Sequence, residues 1–117
     1  MSFFAKKGTK YIVSSQCSAG RDIYVEIELS QNKNENIEIY RLKSIQKTNG
    51  DNIRSEEVLK FAKLGLDRAN KKIKKPCFIK SIGYIPNDTK DYAMYENIVY
   101  DIIEYLHSGK EFKMINE

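Results

Sequence analysis

The sequence predicts an α+β domain: a mostly antiparallel four-stranded sheet in the order β-β-β-α-β-α, with two amphipathic helices packed on one face. Three observations carry that expectation. Strand-like segments gather before the first helical one, which favours an antiparallel meander over repeated βαβ units. Residues 22–30, DIYVEIELS, alternate apolar and polar side chains, so one sheet face is dry and the other wet. Residues 55–75 and 89–108 instead repeat their apolar positions with the helical period, each covering a single face.

A chain of 117 residues supports one domain spanning 1–117 and can bury a core without a metal or disulfide. Hydrophobic residues at 41% and charged residues at 31% fit a globular fold rather than a disordered or membrane-spanning one.

Residues 1–9 read as a loosely held lead-in, with Phe3 and Phe4 docking on the core edge. Lys10–Ser15 reads as the first strand and Gln16–Arg21 as a turn around Gly20. In the second strand, Asp22–Ser30, Ile23, Val25, Ile27 and Leu29 oppose Tyr24, Glu26 and Glu28. Gln31–Asn36 is a polar loop of hairpin length. The third strand, Ile37–Gln46, loses its alternation after Ile39, which predicts a bulge or an early end. Thr48–Asn52 contains an Asn-Gly turn pair.

The helix over Ser55–Lys75 is the most legible element. Val58, Phe61, Ala62, Gly65, Leu66, Ala69 and Ile73 share one face. Ser55 is placed to cap it, because a hydroxyl accepts from an orphan backbone N–H. Glu56 and Glu57 suit the positive end of the dipole, Lys71, Lys72, Lys74 and Lys75 suit the negative end, and Pro76 stops it. Gly65 costs about 1 kcal/mol against alanine in a helix, so its place on the apolar face predicts close approach to a strand. Leu64 points away from that face, as a scattered surface leucine.

Cys77–Ile85 reads as the fourth strand, apolar on both faces and therefore central, and Pro86–Asp88 ends it. Asn87 or Asp88 is placed to cap the second helix, Thr89–Ser108. There Tyr92, Tyr95, Ile98, Val99, Ile102, Ile103 and Leu106 form the apolar face, and Gly109 supplies a left-handed C-terminal residue. Residues 110–117 read as a frayed tail.

Motifs for chemistry are sparse. His107 stands alone near a helix end, where a solvated imidazole beside the C-terminal carbonyls is expected. One histidine and two cysteines far apart in sequence, Cys17 and Cys77, do not make a standard zinc set. They read as reduced thiols, although Arg21 near Cys17 makes a thiolate conceivable. No phosphate cradle or cofactor fingerprint is present, so no cofactor or metal is expected. Glu26, Glu28 and Glu38 could gather on one face as in a divalent-ion site; pairing with Lys43 or Lys80 is the expectation instead. The balance therefore leans away from an enzyme.

Two readings from different classes remain. The first is a non-enzymatic protein-binding module, a small inhibitor of the immunity type that docks on and neutralises a partner such as a bacterial toxin. Its candidate contact residues are Tyr24, Glu26, Glu28, Tyr40 and Tyr84, because tyrosine gives large contact area at low entropic cost. The second is an RNA- or DNA-binding domain using Lys60, Lys63, Lys71 and Lys74 on the solvent side of the long helix. The net charge of +4 comes mostly from lysine, a weaker specifier of phosphate than arginine, so nucleic acid stays the alternative. With no signal-peptide pattern and no apolar run of membrane length, cytoplasm is the expected location and no membrane partner is expected.

Overall fold

A computed structural model describes residues 2–17, 21–30, 36–42, 54–73, 76–85 and 92–115. The elements are β1 (Ser2–Lys7), β2 (Lys10–Cys17), β3 (Arg21–Ser30), β4 (Glu38–Arg41), α1 (Ser55–Lys72), β5 (Phe78–Tyr84), α2 (Ala93–His107) and β6 (Lys113–Met114). They build one α+β domain around a mixed six-stranded sheet of order β4-β5-β3-β2-β1-β6. The expected four-stranded, mostly antiparallel sheet is too narrow, and the expected element order lacks a strand at each terminus.

The antiparallel centre comes from β1–β2, β2–β3 and β3–β5 pairing, while β4–β5 and β1–β6 are parallel. The lead-in is a strand because Gly8, at φ 61, makes a tight reversal that sets Lys7 opposite Lys10. The third expected strand does not continue the meander. It becomes the short edge strand β4, and β5 returns after α1 to lie between it and β3. Apolar side chains on both faces of β5 suit that interior place. Its pairing with β3 shifts register between Glu28 and Leu29, where Lys80 is the extra residue.

Both helices cover one sheet face. Val13, Ile23, Val25, Ile27, Ile79, Ile82 and Tyr84 from the strands join Val58, Ala62, Leu66 and Ala69 of α1 and Tyr95, Ile98, Val99, Ile102 and Ile103 of α2 in one buried cluster. Each large aliphatic side chain there contributes about 1.5–3 kcal/mol of burial.

Gly65 does allow close approach, but to the other helix rather than to a strand. A Cβ at that position would collide with the Glu96 carbonyl oxygen on α2. Arg68 of α1 fixes the same junction by donating to Glu96 Oε2 at 2.6 Å. Ser55 does not cap α1: Arg54 holds the N-cap position without a side-chain cap, and Ser55 Oγ hydrogen-bonds Tyr84 Oη instead. α1 ends at Lys72; Lys74 and Lys75 lie outside the described residues. Outside them too lie the expected turns at Gly20, Gln31 to Glu35 and Thr48 to Asn52, and the caps at Asn87 or Asp88. Gly109, at φ 77, follows α2 in the expected left-handed conformation.

The tail is tied down by aromatic packing. Phe4 stacks on Tyr105 with ring centroids 4.1 Å apart, and Phe112 meets Tyr105 at 4.9 Å and Tyr11 at 5.0 Å. Ile115 N–H then donates to the Lys6 carbonyl at 2.9 Å. Among the described residues no helix is long and apolar enough to cross a membrane.

Candidate functional site

Register assigns the residues of the face that neither helix covers. Around Glu26 of β3 stand Ile12 of β2 and Gly83 of β5 as direct cross-strand partners. Tyr24 pairs with Ser14, Glu28 pairs with Lys10 and Ser81, and Tyr40 and Glu38 of β4 pair with Gly83 and Ser81. Strand alternation therefore brings Tyr24, Glu26, Glu28, Glu38 and Tyr40 to one side, with Lys10 among them.

Tyr84 does not join them. It lies on the opposite, helix-covered face with 0% exposure. Its hydroxyl bonds Ser55 Oγ and accepts from Arg41 Nε at 3.3 Å, so it ties the start of α1 to the sheet. Gly83, its neighbour in sequence, occupies the helix-free side instead. A side chain at Gly83 would fall on the Tyr40 ring and on the aliphatic stem of Glu26. The missing Cβ thus lets the Tyr40 ring lie across β5 toward β3, a close approach of the kind a strand glycine marks.

The centre of this cluster is a buried acid. Glu26 is 8% exposed, the one buried acidic residue among those described. Lys10 sets its ammonium 5.0 Å from the Tyr40 ring centroid. The Tyr40 hydroxyl is buried, with Lys10 and Glu26 as the groups that act on it. Burial pushes that phenol up from its ordinary value, Lys10 acts against the rise, and the Glu26 charge adds to it. The Lys10 ammonium is held above its usual value first by Tyr40 and next by Glu26. Burial and then the Glu26 charge push Tyr24 up to about 12. All three therefore keep their neutral-pH charge states, phenols protonated and ammonium charged.

Glu28 has the lysine partner expected of it, Lys80, at 3.6 Å; Lys43 lies outside the described residues. Phe3 extends the face toward its far edge, 43% exposed, with the Lys113 ammonium 5.4 Å from its ring centroid. Among the described residues no three His, Cys, Asp or Glu side chains are grouped to hold a metal. What this arrangement offers is contact surface: aromatic area with carboxylates and lysines in mixed array. Lys10, Gly83 and Phe3 were not among the residues the sequence pointed to. The glycine inside a strand is the one local signal, and it marks Gly83 alone; Lys10 and Phe3 reach this face only through strand register.

The lysines of the alternative lie on α1. Lys60, Lys63 and Lys71 are exposed there, with Asp67 exposed between them, and Lys74 is outside the described residues. His107 is exposed as expected for the last residue of α2, but it is not solitary: its Nε2 lies 3.2 Å from Cys77 Sγ. Nothing is described of the Cys17 side chain. An open recess of about 260 Å³ lies on the helix side between Phe4, Tyr105, Asp101, Glu104, Ser108 and Lys110.

No protein-family model, curated protein or solved structure matches the chain.

Proposed function

We propose that this chain is a non-enzymatic protein-binding module that docks on a partner protein through its helix-free sheet face. A small inhibitor of the immunity type, which covers and neutralises a toxin domain, is the form of the activity that best fits so compact a carrier. One observation supports the reading above the others: Tyr24 and Tyr40 share that face with Glu26, Glu28 and Lys10, while the apolar residues of β3 and β4 face the helices. Tyrosine is among the residues enriched at interface hot spots.

The charge pattern argues for protein over nucleic acid at this surface. Sheet faces that stack bases pair aromatics with cations, whereas Glu26, Glu28 and Glu38 put three carboxylates on this one. The alternative places RNA or DNA on Lys60, Lys63 and Lys71 of α1.

The test is affinity capture from the source cell's lysate, with and without nuclease, at low and moderate salt, using the chain and its Tyr40→Ala variant. The expected result is one stoichiometric protein that survives nuclease and salt and is lost from the variant. Capture of nucleic acid that washes off with salt would move the function to the α1 lysines, since each neutralised phosphate releases counterions. A partner held equally by Tyr40→Ala would remove the sheet face from the account.

A further inference from the structure

Two residues set 30 positions apart form a pair that the docking surface does not use. Cys77 lies just before β5 and His107 closes α2, and Cys77 Sγ stands 3.2 Å from His107 Nε2. The thiol is placed by a third element. Asn70 of α1 accepts from the Cys77 N–H through Oδ1 and donates to the Cys77 carbonyl through Nδ2, both at 2.9 Å. That two-point clamp holds the Cys77 backbone, from which the sulfur reaches the imidazole.

The chemistry follows from the pairing. A thiolate, not a thiol, is the nucleophile, and a cationic imidazolium beside it favours the thiolate. His107 is exposed, and Cys77 is partly buried at the edge of the core. Two donors are too few for a structural zinc, and among the described residues no further acidic, cysteine or histidine group completes a set.

We propose that Cys77 is a reactive thiol activated by His107, and that the pair is a site of covalent modification by small disulfides. In the step, His107 Nε2 takes the Cys77 proton and Sγ attacks one sulfur of the disulfide. A new S–S bond forms to Cys77 as the old one breaks, and its electron pair leaves with the second sulfur. Cys77 is thereby oxidised, and the departing half is released as a thiolate that takes up the proton.

The probe is 5,5′-dithiobis(2-nitrobenzoic acid) at neutral pH, applied to the folded chain and to His107→Gln. Peptide mapping by mass spectrometry assigns the label to Cys77 or Cys17. Cys77 is expected to react roughly fivefold or more faster than N-acetylcysteine, because its thiolate fraction at neutral pH is raised. His107→Gln is expected to return it to the reference rate with an unchanged melting profile. Cys77 labelling in the unaltered chain at or below the reference rate would overturn the proposal on its own. So would a rate that His107→Gln leaves untouched.

Discussion

The two faces of the sheet bury their residues differently. On the helix side, Ile23, Val25, Ile27, Ile82 and Tyr84 vanish under apolar residues of α1 and α2 in one cluster. On the other side, Ala5 and Ile12 are as buried as any core residue yet stand apart from that cluster, and Glu26 is buried with them. The first face is dry because helices lie on it. The second keeps a charge in its interior among Tyr24, Tyr40 and Lys10, an arrangement that costs free energy unless charges and dipoles compensate it. One face is packed dry under the helices; the other holds polar groups in place beside aromatic rings.

The largest expected effect lies on the helix side. A charge at Leu66 or Ile102 is expected to cost about 4–5 kcal/mol and to abolish the cooperative melt seen by circular dichroism. A wild-type melting point in either variant would mean the helix faces are misassigned. Next comes Gly65→Ala. Alanine gains about 1 kcal/mol of helix propensity, but the Glu96 backbone must move to admit its Cβ, so a net loss of about 1–3 kcal/mol is expected by denaturant titration. A neutral or stabilising result would mean that α1 and α2 do not meet at Gly65.

Tyr84→Phe sharpens the comparison from the middle. It removes the hydroxyl that Ser55 and Arg41 share but leaves the ring in the core. Roughly 1 kcal/mol of stability should be lost, and partner capture should not change, because the ring never reaches the helix-free face.

How much of this was legible depends on what fixes each feature. α1 and β3 follow from period alone, so Leu66, Ala69, Ile23 and Val25 were readable as core positions. Tyr24, Glu26 and Glu28 had to share a face because one strand alternates. Tyr84 was not assignable: CFIKSIGYI is apolar on both sides, and the irregularity near Lys80 resets its parity. β1 hid behind the adjacent Phe3 and Phe4, which break alternation, and β6 is two residues long. The place of β5 between β4 and β3 is a matter of topology, on which local pattern is silent. The Cys77–His107 pair likewise arises from tertiary packing and leaves no spacing to read.

The smallest effect is one of pH. Tyr24 is held near 12 in the folded chain against an ordinary value of 10.0. Between those values the unfolded chain releases that proton first, so the unfolded state binds fewer protons and stability falls as pH rises. A melting series across that window should show the fall, and Tyr24→Phe should flatten part of it. An unchanged slope in the variant would remove Tyr24 from the buried cluster.

The most direct test sets the two faces and the lysine helix against one another. Tyr24→Ala/Tyr40→Ala and a variant with Lys60, Lys63 and Lys71 changed to glutamine are each measured for cooperative melting and for binding to the captured partner. Both variants are expected to melt cooperatively, the tyrosine variant to lose at least about thirtyfold in affinity, the scale of an interface hot spot, and the lysine variant to bind as before. Full affinity in the tyrosine variant, or a loss confined to the lysine variant, would contradict the assignment of recognition to the helix-free face.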